Sequence, residues 1–109
     1  MSETEDHFAY LCEVMRYLIA GDDAAVIGTS LRLPASSAAF INALHGRIHT
    51  FDDTYEPGTL HTGTPVVAAA LALAEKLDAD GETFLSAVIA GYEVAARVAA
   101  AVSPGHYAA

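Results

Sequence analysis

Basic residues are scarce in this chain. Five Lys and Arg stand against fourteen Asp and Glu, a formal net charge of −9. Nucleic-acid binding depends on neutralising phosphates with Lys and Arg, so that class is excluded. The same balance repels an anionic ligand at long range, and most of the cations that would hold one are missing. Cysteine is nearly absent: Cys12 stands alone, forms no intrachain disulfide and points to a reducing, cytoplasmic setting. Long apolar runs are lacking as well. The longest, residues 66–74, is about half of what a membrane-spanning helix needs. No basic stretch leads into an apolar one at the N-terminus, so neither a secretory signal nor a membrane partner is expected.

What is present is apolar and helix-forming. Hydrophobic residues make up 53% of the chain and mean hydropathy is positive, which excludes a disordered tail. A length of 109 residues holds at most one domain with a modest core. Ser2 and Glu5 have the form of a capping box, and Phe8, Leu11, Cys12, Met15, Leu18 and Ile19 follow at helical spacing. Cys12 lies on that stripe and reads as a small buried hydrophobe. Residues 24–33 are too short and mixed for a helix, with short extended pieces expected around Gly28 and Thr29. Pro34 suits the first turn of a second helix, which would bury Ala38, Ala39, Phe40, Ile41 and Leu44 and run to about Ile48.

A third helix is expected from a Thr64 cap and Pro65 to Leu77. It is apolar nearly all round until Glu75 and Lys76, the mark of burial on most sides or of an interface. A fourth runs from Glu82 to about Val102, with Leu85, Val88, Ile89, Tyr92, Ala96 and Ala99 as its core stripe. Ala87, Gly91, Ala95 and Ala99 recur every four residues, a ridge of small residues that admits a close neighbour. Glu93 and Arg97 are spaced to pair along it. The fold class is therefore all-α: about four helices with one long loop.

That loop, residues 47–65, is the polar interval between two apolar segments, and loops of this kind carry chemistry more often than their scaffold. It holds two of the five histidines, three of the acidic residues and five threonines. His45 and His49 share a helix face, but the pattern lacks the Glu of a zinc H-E-x-x-H helix, and no metal site is assigned. Acid–base chemistry fits better. Asp52, Asp53, Thr54 and His61 bring carboxylates, a hydroxyl and an imidazole onto one loop. His61 also precedes a Thr-Gly-Thr-Pro helix start whose free N–H groups suit an anion. The plain alternative is that Asp52 and Asp53 cap backbone and Thr54 closes a turn.

Phe51-Asp52-Asp53-Thr54, then six residues, then His61-x-Gly63-x-Pro65 and an Ala-rich run to Glu75, resembles the MmgE/PrpD family. The Ala-Gly-Tyr-Glu-Val-Ala-Ala-Arg block at 90–97 and Pro-Gly-His-Tyr at 104–107 follow in the family's order. Val26-Ile27-Gly28-Thr29 and the segment from Leu33 to Asn42 fit its preceding part, so the resemblance spans about residues 24–107. It implies the helical domain of enzymes similar to 2-methylcitrate dehydratase, cis-aconitate decarboxylase and iminodisuccinate epimerase. These are lyases or isomerases of di- and tricarboxylates that work as homodimers without metal or iron–sulfur cofactor.

By that resemblance His61, Asp52 and Asp53 are the catalytic residues, with His61 transferring a proton and the Asp pair orienting. Thr54, Arg47 and Thr62 lie where the substrate is bound. Arg47 stands where a His is frequent, Thr50 where a further Asp is common, and Thr62 where a Pro is usual. Family chains are several times longer and add a lid domain, a second active-site histidine and lysines. The expectation is thus one wall of an active site, incomplete alone. A non-catalytic helical module that dimerises or binds a relative is the competing expectation.

Overall fold

The computed structural model describes residues 3–18, 20–48, 50–103 and 105. Four helices dominate them: α1 (Glu3–Leu18), α2 (Ala35–Arg47), α3 (Gly63–Leu77) and α4 (Gly81–Val102). Ser2, and with it the capping box, lies outside the described residues. Between α1 and α2 sits a small antiparallel hairpin of β1 (Ala24–Ala25) and β2 (Arg32–Leu33), in the register Ala24 to Leu33 and Ala25 to Arg32. The all-α expectation holds, and the short extended pieces around Gly28 and Thr29 are this hairpin.

The core forms where α1, the hairpin, α2 and α3 meet. Cys12, Ala24, Val26, Leu33, Ala38, Ile41 and Ala72 are buried together, with Phe8, Leu11 and Met15 of α1 packed against them. The hairpin is too short to hold itself, and polar side chains from two helices secure it. Asn42 of α2 accepts the Ile27 N–H at 2.9 Å and donates to the Ala25 carbonyl at 3.0 Å. Glu75 of α3 accepts the Ala25 N–H at 3.2 Å. Burial pushes the Cys12 thiol up, and neighbouring Glu13 adds to it, as befits a packed rather than reactive cysteine.

Helix starts follow a common device. Asp80 is the N-cap of α4 and accepts the Thr83 N–H at 2.8 Å; hydrogen bonding from the Thr83 side chain, then from its N–H, holds the carboxyl below the usual range. The α2 start is capped from a distance: Asp23 accepts the Ala35 N–H at 3.3 Å, and Pro34 precedes the helix as its N-cap residue.

Two expected core faces differ. On α2, Ala38 and Ile41 are buried, but Phe40 and Leu44 are 56% and 42% exposed, because this i,i+4 pair faces a cavity instead of the core. On α4, Leu85 and Ile89 are 60% and 70% exposed, whereas Val88, Tyr92, Ala96 and Ala99 are partly covered. The small-residue ridge explains the difference. A Cβ on Gly91 would stand 2.7 Å from Val66 Cγ1, and one on Gly58 would stand 2.7 Å from Ala99 Cβ. Helix α4 therefore seats small residues on α3 and the loop, leaving Leu85 and Ile89 on one shoulder and Val94 and Val98 on the other.

Helix α3 is buried only along Ala68 and Ala72, with Val67, Leu73 and Leu77 exposed, so the expected burial on most sides is not met within this chain. Among the described residues, α4 is long and apolar enough by length and composition to cross a membrane, with a mean hydropathy of 1.5 in its most apolar window. The core helix of a soluble protein meets the same test.

Candidate active site

The loop between α2 and α3 folds back on itself. Tyr55 and Leu60 form an isolated antiparallel bridge, with N···O distances of 2.7 and 3.1 Å, closed by a 3₁₀ turn at Glu56–Gly58. Residues flanking such a bridge are brought side by side. Thr54 and His61 are those flanking residues, and Thr54 Oγ1 stands 3.4 Å from His61 Nδ1. The six-residue spacing between the two motifs is thus the length of this doubled-back turn. Thr50 and Thr59 both sit at positive φ, 55° and 49°, a region that penalises branched side chains. Such strain gathers at functional loops.

Asp52 is a well-covered carboxylate, its side chain only 5% exposed. Arg47 Nη1 pairs with its Oδ1 at 2.9 Å and Thr64 Oγ1 donates to its Oδ2 at 3.0 Å. Burial alone would push this carboxyl up. The bonds from Thr64, its own backbone N–H and Arg47, with the Arg47 charge, outweigh burial and hold it below its usual range. Asp52 is therefore an anion that stays one. His61 Nδ1 lies 3.7 Å from its Oδ2.

Asp53 faces the other way. Its Oδ1 accepts the Gly63 N–H at 2.8 Å and its Oδ2 accepts the Tyr92 hydroxyl at 2.7 Å. The first of these bonds corrects two expectations. Helix α3 begins at Gly63, ahead of the expected Thr64 cap, because a carboxylate ten residues upstream caps it. The anion place at that helix start is accordingly taken by Asp53 itself. Thr64, freed from capping, serves Asp52. Hydrogen bonding to Asp53, then burial, then its negative charge push the Tyr92 phenol above its usual value.

The main-chain carbonyl of Asp53 accepts from His61: Nδ1 is 3.0 Å away. A carbonyl oxygen only accepts, so the proton sits on Nδ1 and the neutral ring keeps a free lone pair on Nε2. His61 lines an open cavity of about 420 Å³ together with Arg47, Thr64, Phe40, Leu44 and Pro65. The cavity thus joins a half-exposed guanidinium and an imidazole to an apolar wall from α2.

Of the residues read from the sequence, Arg47, Asp52, Asp53, Thr54 and His61 come together. Thr62 does not join them at the cavity. It is 1% exposed, and its hydroxyl is buried without a hydrogen-bond partner among the described residues. His45 stacks on Phe8 with ring centroids 4.0 Å apart, and His49 lies outside the described residues. No group of three or more metal-ligating side chains occurs among the described residues. Thr64 and Tyr92 are the functional neighbours that sequence reading missed. The signal for Tyr92 was its hydroxyl, which needs a polar partner when its ring packs on an apolar face.

Comparison with curated proteins and with solved structures gives no match. The family model of the MmgE/PrpD N-terminal domain matches residues 2–109, nearly the whole length, and the chain belongs to the MmgE/PrpD family.

Proposed function

We propose that residues 47–65 form one wall of a site for di- or tricarboxylates, in a lyase or isomerase of the 2-methylcitrate dehydratase type. The observation that carries this is His61, its Nδ1 on the Asp53 carbonyl and its Nε2 without a hydrogen bond among the described residues, beside an anionic Asp52 and Arg47 on the rim of a cavity. His61 takes a proton from the carbon alpha to a carboxylate. Arg47 and Thr54 hold carboxylate oxygens, and the Asp pair orients His61. No metal or other cofactor is assigned to this chemistry. Arg47 is already paired with Asp52, so a ligand with two or three negative charges needs further cations from outside this wall. The isolated chain is therefore expected to bind such acids weakly and to turn them over little or not at all.

The test is incubation with 2-methylcitrate or cis-aconitate, following the conjugated double bond by ultraviolet absorbance, alongside an NMR titration with the same acids. Shifts confined to Arg47, Thr54 and His61, lost in His61→Ala, are expected. Shifts spread evenly over the chain would remove the reading. Robust turnover by the isolated chain, abolished in His61→Ala, would refute its incompleteness.

A second reading, a non-catalytic module that self-associates, is favoured by the exposed Leu85, Ile89, Val94 and Val98 on α4 and Leu73 and Leu77 on α3. The two readings agree on self-association, which light scattering tests: a monodisperse monomer at high concentration would count against it. They part on carboxylate binding, which only the first requires.

A further inference from the structure

Tyr92 reaches the loop from α4, across 39 residues of sequence. With its hydroxyl on Asp53 Oδ2 and the Gly63 N–H on Oδ1, the carboxylate is clamped at both oxygens, by α4 on one side and by α3 on the other. A side chain fixed at both oxygens restrains its own peptide, and that peptide's carbonyl is the acceptor for His61 Nδ1.

The restraint matters because a competitor stands beside it. The Thr54 hydroxyl is 3.4 Å from the same nitrogen and, unlike the carbonyl, is able to donate. If the carbonyl holds Nδ1, the ring is protonated there and Nε2 is the base. If the carbonyl drifts and Thr54 donates to Nδ1, the proton moves to Nε2, and the nitrogen that served as base is blocked. Asp52 Oδ2, at 3.7 Å, is too far to decide between the two.

We infer that Tyr92 is a positioning residue: through Asp53 it holds the carbonyl that keeps His61 in the Nδ1–H form, so that Nε2 is the proton-accepting atom at the cavity. This rests on the reading of His61 as the proton-transfer group. It assigns a role to a helix-α4 side chain that touches neither substrate nor histidine.

Long-range ¹H–¹⁵N correlation on histidine-labelled protein, at a pH where the rings are neutral, reads the tautomer directly, and His61→Ala identifies the signal. The parent is expected to show a protonated Nδ1 and an unprotonated Nε2. In Tyr92→Phe the pattern shifts toward Nε2–H. In Tyr92→Phe with Thr54→Val it returns toward Nδ1–H, because the competing donor is gone. A purely structural role would not produce that reversal. Asp53→Asn, which leaves one acceptor oxygen where the clamp uses two, is expected to shift the tautomer as Tyr92→Phe does, and it serves should Tyr92→Phe lose helicity.

A parent-like tautomer in Tyr92→Phe at unchanged helicity, or in Asp53→Asn, overturns the inference. The readout needs no substrate. Carboxylate binding with an unmoved tautomer fells this inference alone, and a moved tautomer without carboxylate binding fells only the proposed function.

Discussion

Gly91→Ala measures how closely α4 is seated on α3. Placing alanine in a helix interior in place of glycine gains about 1 kcal/mol from propensity alone. Here the new methyl would lie 2.7 Å from Val66 Cγ1, 3.3 Å from Cγ2 and 3.5 Å from Val66 Cβ. Carbon pairs settle near ~3.5–4.0 Å, so the first contact is short by roughly 1 Å. Overpacking of this kind costs about 1–3 kcal/mol, since Val66 must turn off its rotamer or α4 must lift. The two effects together leave a net loss of about 1 kcal/mol. With a urea dependence of roughly 1–3 kcal/mol per molar for a small protein, the midpoint should fall by about 0.5 M. Urea unfolding followed by helical circular dichroism is the assay. In a Val66→Ala background the obstruction is gone and the same substitution should stabilise by about 1 kcal/mol. The double-mutant cycle should therefore show a coupling of about 2 kcal/mol. If Gly91→Ala raises the midpoint equally in both backgrounds, α4 does not rest on Val66 and the account of the small-residue ridge is wrong.

Other perturbations separate the parts of the loop. Asp52 has a folded-state carboxyl below its usual 3.8, so its contribution to stability is complete above that value and is lost as pH falls through the folded value. The thermal midpoint of the parent should drop steeply on acidification and that of Asp52→Asn less so; parallel curves would contradict the assignment. Thr62→Val removes a buried hydroxyl that has no partner among the described residues and should stabilise by about 1 kcal/mol, read from the denaturant midpoint. A clear loss would mean that the hydroxyl has a role this conformation does not display. Thr50→Gly relieves a left-handed threonine at about 1–2 kcal/mol, partly offset by the entropy glycine loses on folding. A midpoint unchanged or slightly raised is expected, and a drop would show that the threonine side chain stabilises the turn.

The helices were legible because each is an apolar segment of sufficient length, periodic in α1, α2 and α4 and nearly continuous in α3. Their edges were less so. Thr64 and Pro65 look like a helix start by local chemistry, yet α3 begins at Gly63 because Asp53, ten residues back, supplies the cap. No local rule sees that bond. On α4 the ridge of small residues was legible, and Gly91 and Ala99 are where neighbours approach closely, but the large Leu85 and Ile89 of the expected core stripe are exposed because that close seating leaves them to one side. The loop shows the same division. The residue types on the loop, and then the motif resemblance, picked out Asp52, Asp53, Thr54 and His61. Their arrangement came from the Tyr55 to Leu60 bridge and from Tyr92, contacts that only the folded chain creates.

Charge gives the loop its strongest constraint. Asp52, Asp53 and Arg47 are the fixed charges of the cluster, two carboxylates against one guanidinium that already holds a carboxylate at 2.9 Å. A neutral His61 adds nothing to that balance. A polycarboxylate approaching this wall of a chain with net charge −9 meets repulsion, and Arg47 can turn to it only by loosening Asp52. Loosened Asp52 would lose part of what keeps it anionic beside His61, so in the proposed site ligand binding and the charge next to the histidine would be tied through one arginine. Cations brought from a partner surface would break that tie, letting Arg47 stay with Asp52 while the ligand's charge is met elsewhere.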